Sequence, residues 1–157
     1  MLTALDVASY ILYTAYKIGD SVTNLKLQKL LFYVQADYLV ANKGLPLFSD
    51  PIEAWQYGPV VKSVYDKYKC FGRNPINDEA LVKPKELTDE QKKQIDNTLE
   101  NYMSCSAFEL VRSIHNEEPW RKAYDEHSSN EISVDSMYKF YKKLKIKKDT
   151  LLAAIEE

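Results

Sequence analysis

The chain has 157 residues, of which 45% are hydrophobic and 28% charged, with a formal net charge of −2. That balance excludes a disordered chain and predicts one globular domain over residues 1–157, long enough to bury a core. It offers no global basic field to a phosphate backbone, so nucleic acid is not the expected partner.

Taken in order, the chain reads as mainly helical. Thr3 to Ile18 forms a first helix, with Thr3 and Asp6 as a capping box and Ala8, Ile11, Leu12 and Ala15 as its apolar stripe. Thr23 or Asn24 caps a second helix that runs to about Asn42. At about 100° per residue, Leu27, Leu30, Leu31, Val34 and Tyr38 make one apolar arc, and Leu25, Phe32, Ala36 and Leu39 make a second. A helix apolar on most of its circumference is central. Lys26, Lys29 and Asp37 occupy the remaining strip, which is expected to face solvent. Gln28 and Gln35 stand one heptad apart between the arcs and are expected to tie down loop backbone, because a buried amide without partners costs roughly 1–3 kcal/mol.

Leu45 to Tyr57 has no helical period. Ser49-Asp50-Pro51 marks a turn, and Leu47–Phe48 and Ile52–Tyr57 on either side are expected to pair as a small hairpin. Gly58 bends the chain, and Pro59 suits the first position of a third helix reaching about Cys70. Arg73 to Leu87 reads as a crossing loop, with a short extended piece at Leu81–Val82. Thr88 caps a helix to about Met103, and Ser104 or Ser106 starts the next, whose stripe is Ala107, Leu110, Val111 and Ile114. Pro119 opens a short helix. Ser133 caps another through Leu144, and Asp149 to Glu157 forms a final short turn of helix. The fold class is a compact, single-domain, mainly α bundle of about six to eight helices, with a small extended or β-hairpin element near residues 46–57.

Chemistry-bearing residues are sparse. His115 and Glu118 give H-x-x-E with His127 beyond, but three convergent ligands at fixed spacing are missing, and a core-lining His115 bonded to backbone is the expectation. Cys105 beside Ser106 sits at a helix N-terminus, yet no base or oxyanion site accompanies it. Four scattered glycines form no phosphate loop. Cys70 and Cys105 have no C-x-x-C spacing and read as reduced thiols. These observations argue against an enzyme and imply no cofactor and no metal. The amino-terminal stretch has neither a charged leader nor a small-residue cleavage site, and no apolar run approaches the ~18 residues of a membrane span. A cytoplasmic location is expected.

What remains is a surface for another protein. Trp55, Tyr57, Tyr65 and Phe71 gather around the Gly58-Pro59 corner; Trp and Tyr are common interface anchors and equally typical of a satellite hydrophobic cluster. Trp55 is expected to be buried and some of the tyrosines exposed. With Arg73 at its edge, the group Trp55, Tyr57, Tyr65 and Arg73 is the candidate contact surface, needing roughly 800 Å². The lysines of Lys139–Lys148 are a weaker candidate, since such a run is more commonly the solvated face of a helix.

Three segments in order, LKLQKLLFYVQADYL (25–39), IEAWQYGPVVKSVYDKY (52–68) and SIHNEEPWRKAY (113–124), resemble the Panacea domain family, which includes SocA-like antitoxins and phage-associated GepA-type proteins. On that resemblance Gln28, Gln35, Gly58, Pro59, His115, Pro119 and Trp120 are structural motif positions, and Phe32 departs from a frequent Tyr. The resemblance implies a mainly helical domain without enzymatic activity. It further implies an antitoxin that neutralises a cognate protein toxin, encoded by an adjacent gene, by direct binding. Its alternatives are a proteolytic adaptor that hands a toxin to an AAA+ protease, or a phage-encoded regulator that binds a host protein. A separate DNA-binding segment is not expected.

Overall fold

The computed structural model describes residues 1–77, 84 and 86–156. In chain order the elements are α1 (Ala4–Lys17), α2 (Asn24–Ala41), β1 (Ile52–Trp55), β2 (Gly58–Val60), α3 (Lys62–Tyr68) with a 3-10 turn (Lys69–Phe71), α4 (Asp89–Tyr102), α5 (Ala107–His115), α6 (Glu118–Ala123), β3 (Glu131–Ile132) and α7 (Val134–Glu156). Seven α-helices and one small antiparallel sheet among the described residues match the mainly α architecture that the periodicity predicts. No helix among them is long and apolar enough to cross a membrane. The short extended piece expected at Leu81–Val82 lies outside the described residues.

Local sequence sets the helix starts. Thr3 with Asp6, Thr88 with Gln91 and Ser106 with Glu109 all form complete capping boxes, and Thr23 accepts from the Lys26 N–H. Each such cap is worth about 1 kcal/mol. α2 is the post around which the rest is arranged: α1, α3, α4, α5, α7 and β2 all pack on it. Leu27, Leu30, Leu31, Phe32, Val34, Ala36 and Leu39 are buried, so both predicted arcs are core.

The strip of α2 expected to face solvent does not. α4 and the β2 corner cover it. Asp37 is half-buried and accepts from Thr98 Oγ1 at 2.8 Å, Lys26 donates to the Met103 carbonyl, and Lys29 is 0% exposed.

The hairpin also differs from expectation. Leu47 and Phe48 do not pair with Ile52–Tyr57. Gln35 takes up their backbone, and Phe48 bridges in parallel to Leu2. Asp50 explains the routing, because its carboxylate accepts from the Ala4 N–H at 2.8 Å and from Ser63 Oγ at 2.8 Å, which carries the turn across the start of α1. β1 therefore pairs with strands later in the chain. Its register on β2 is Glu53↔Val60, Ala54↔Pro59 and Trp55↔Gly58, and its other edge takes β3, giving the order β2-β1-β3.

Pro59 consequently sits in a strand rather than opening α3. β2 is an edge strand, where a residue without an N–H is tolerated. α3 starts at Lys62, and no side chain of its own N-cap residue bonds the first turn. At the other end of the chain, α7 continues without a break to Glu156, where a helix to Leu144 and a separate final turn were expected. No Gly or Pro interrupts that stretch, and the spacing Tyr141, Leu144, Lys148, Leu151, Ile155 keeps one heptad stripe.

Candidate partner-binding surface

The Gly58-Pro59 corner is held from beneath by the first two turns of α2. Asn24 Nδ2 donates to the Tyr65 carbonyl at 3.2 Å, and its Oδ1 accepts from Gln28 Nε2 at 2.9 Å. Gln28 Oε1 accepts the Val61 N–H at 2.9 Å. Lys29 Nζ donates to the Pro59 carbonyl at 2.9 Å. Asn24 and Gln28, one turn apart, and Lys29, the next residue along, thus supply three fixed points for the β2–α3 segment. One heptad on, Gln35 repeats the device, accepting from the Leu47 N–H and donating to the Phe48 carbonyl, both at 2.9 Å. Both glutamines are 1% exposed, and both amides are satisfied.

Lys29 is the unexpected member. Burial alone pushes its amine down to about 7. Its stem lies against Gly58, where an added Cβ would stand 2.7 Å from Lys29 Cε. Gly58 also has φ +106, a conformation that L side chains rarely adopt, so the glycine is required twice. A signal for this burial was present in the sequence. At about 100° per residue Lys29 falls about 20° beyond Ala36, at the margin of the second apolar arc and not opposite it.

α6 supplies the fourth fixed point. Trp120 Nε1 donates to the Trp55 carbonyl at 2.8 Å. The Trp120 ring is stacked between His115 (4.0 Å, 16°) and Tyr124 (4.7 Å, 16°). Pro119 and Trp120 are buried. His115 is half-buried, with Nε2 enclosed and lacking a hydrogen-bond partner among the described residues. Burial lowers its pKa, the Gln56 backbone opposes that, and the neighbouring Lys29 adds to it.

With its backbone pinned, the corner presents side chains outward. Trp55 is half-buried, where burial was expected: its carbonyl serves the interior, while its ring packs edge-on to Tyr65 at 5.0 Å and its Nε1 reaches Glu53 Oε1 at 3.2 Å. Trp120 occupies the buried position instead. Tyr57 stands at the tip of the β1–β2 turn, 60% exposed, and Tyr65 is half-buried. The structure therefore brings Trp55 and Tyr65 into contact and places Tyr57 two residues away on the same turn. Arg73 is exposed in the loop after the 3-10 turn, and no hydrogen bond or aromatic contact among the described residues joins it to the other three. Phe71 packs partly against the core.

A second cluster was not legible in the sequence. Tyr33, 2% exposed, donates to Glu117 Oε1 at 2.6 Å. Its one proton is then used, so Ser113 Oγ, 2.7 Å away, donates to it. Tyr102 stacks on Tyr33 at 4.1 Å, and Tyr141 meets it edge-on at 6.2 Å. Burial raises the pKa of Glu117, and burial followed by the Glu117 charge raises those of Tyr33 and Tyr141. This network ties α2 to the α5–α6 junction. Cys105 is half-buried and Cys70 exposed, both free thiols, and His127 is exposed beside Glu126.

A protein-family model described as "Antitoxin SocA-like, Panacea domain" matches residues 27–121, which run from α2 through the corner to α6. Among curated proteins, the chain is 41% identical over 68 residues to the "Antitoxin SocA" of Caulobacter vibrioides (strain NA1000 / CB15N). That match covers 43% of this chain and 34% of the relative, so about a third of the relative's length is spanned. No solved structure matches.

Proposed function

Because the chain belongs to the family of SocA-like antitoxins built on the Panacea domain, we propose that it is a cytoplasmic, non-enzymatic antitoxin that neutralises a cognate protein toxin by direct binding. The observation that carries this reading is the family match across the α2 post, the corner and α6. The geometry supports it. A pinned backbone displaying Trp55, Tyr57 and Tyr65 has lost its conformational freedom before binding, which lowers the entropic cost of docking on a protein surface. Aromatic side chains on a rigid frame are frequent hot spots.

The test is co-expression with the product of the neighbouring gene. The expected result is rescue of growth and a co-purified complex. Tyr57→Ala is expected to weaken the complex at least tenfold, since truncating an aromatic anchor costs about 2 kcal/mol or more, while thermal unfolding of the free chain stays unchanged. Absence of both rescue and complex refutes the reading. Rescue that disappears in a strain lacking its AAA+ proteases points instead to proteolytic delivery.

A further inference from the structure

The three-stranded sheet has two edges, and the fold treats them differently. On the β2 edge the outward groups are taken by α2: the Pro59 carbonyl accepts from Lys29, and the Val61 N–H donates to Gln28. On the β3 edge no such anchor exists among the described residues. The register Ile52↔Ile132 and Glu53↔Glu131, with the Ala54 N–H donating to the Asn130 carbonyl at 2.8 Å, turns the backbone of Asn130 and Ile132 towards β1 and that of Glu131 away from it. Neither the N–H nor the C=O of Glu131 has a hydrogen-bond partner among the described residues. A donor and an acceptor side by side at a sheet edge are a template for one more strand. Beside this edge α6 and α7 leave a cleft of about 480 Å³, lined by Glu131 and Ser133 and by the apolar Pro119, Ala123 and Phe140.

We propose that the β3 edge takes an extended segment of another protein as a fourth strand, with a basic residue opposite Glu131 and an apolar residue beside it in the cleft. Two backbone hydrogen bonds to Glu131 place the segment, and its side chains select it. Charge sets the basic residue. Glu53 and Glu131 stand directly opposite each other on one face of the sheet, a like-charge pair that is unfavourable until a cation joins it. The cations around them are already engaged: Lys62 is paired with Asp66 at 2.7 Å, Lys122 with Glu118 at 3.3 Å and Lys139 with Asp135 at 3.0 Å. Lys143 also lines the cleft, about two and a half turns into α7. The same carboxylates turn away a second copy of the chain, because joining two β3 edges sets Glu131 against Glu131.

An amide NMR titration of the full chain with the capped peptide Thr-Val-Arg-Val-Thr tests this. The expected result is saturable shifts of the Glu131 and Ser133 amides with a Kd of about millimolar, since a short flexible peptide is ordered only on binding. Glutamate in place of the peptide's arginine should weaken binding about fivefold, because it sets a third carboxylate beside Glu53 and Glu131. Methylating the arginine backbone nitrogen removes the donor to the Glu131 carbonyl and should abolish the shifts. Glu131→Lys changes an exposed side chain, so its thermal unfolding midpoint should stay unchanged while its preference between the two peptides reverses. Absence of saturable shifts with the arginine peptide overturns the proposal, as does undiminished binding of the methylated peptide or an unchanged preference in Glu131→Lys. Shifts of the same amides on concentrating the protein alone assign the edge to a second copy and overturn it equally. No toxin enters these measurements, so the proposal and the proposed function can fail separately.

Discussion

Replacing Lys29 with Met should make the protein more stable, although it removes the hydrogen bond that the amine makes to the corner. The amine is fully enclosed and its pKa falls from 10.5 to about 7. At about 1.4 kcal/mol for each pH unit, burial of this group opposes folding by about 5 kcal/mol at low pH and about 4 kcal/mol at pH 7. Met follows the same unbranched path past Gly58 and carries no charge. Against the gain stands the Pro59 carbonyl, which loses its donor at roughly 1–3 kcal/mol. The net expectation at pH 7 is a gain of about 1–3 kcal/mol.

The sign of the pH dependence separates this account from simple repacking. Between about pH 7 and pH 10.5 the unfolded chain holds a proton on Lys29 that the folded chain does not. The unfolded state binds more protons, so stability rises with pH across that window, by up to about 1.4 kcal/mol per pH unit. Below about pH 7 both states are protonated and the deficit is constant. Tyr10, pushed up to about 12, and the buried Tyr33, Tyr102 and Tyr141 act the other way above pH 10, but they are common to both proteins and cancel in the difference. Urea unfolding of wild type and Lys29→Met from about pH 6 to 9.5 is the assay. The variant's advantage should shrink steadily above pH 7. Parallel curves, or a variant less stable than wild type at pH 7, would refute the reasoning.

Gly58→Ala is expected to destabilise by about 2–4 kcal/mol, from its positive φ and from the 2.7 Å approach to Lys29 Cε. In a Lys29→Ala background the steric part vanishes and the loss should be smaller by at least about 1 kcal/mol, which a double-mutant cycle reads directly. Gln35→Met leaves the Leu47 N–H and the Phe48 carbonyl unpaired in the interior and should lower denaturant stability by about 2–4 kcal/mol. Trp120→Phe keeps an aromatic ring between His115 and Tyr124 but removes the donor to the Trp55 carbonyl; a loss of about 1–2 kcal/mol is expected by thermal unfolding.

Legibility followed the range of each interaction. The caps were readable because a Thr or Ser and the residue three positions on bond only to each other. Gln28 and Gln35 were readable because polar residues inside an otherwise apolar circumference must bond to something. Lys29 was not, because its letter argued for solvent more strongly than its angular position argued for the core. β3 was not, because two residues carry no period and the strand exists only through its pairing with β1. The route of Leu47–Phe48 depended on Asp50 reaching the start of α1, a contact 46 positions apart that no local pattern announces. Glu117 was hidden for the same reason, since its partner Tyr33 lies on another helix 84 positions away.

The division of labour within Trp55 rests on these same contacts. A residue in a β-strand offers its backbone to neighbouring strands and its side chain to one face. At Trp55 the carbonyl is claimed by Trp120, so the interior holds the residue without needing its ring. The ring is then free to lie with Tyr65 at the surface, and Tyr57 stands at the turn that Gly58 makes possible. Lys29, Gln28 and Asn24 anchor the other side of that turn from a helix that is itself buried on nearly every face. Changes at the anchors should therefore alter stability and the placement of the aromatic rings together, whereas changes at Tyr57 should reach only the binding proposed for this surface.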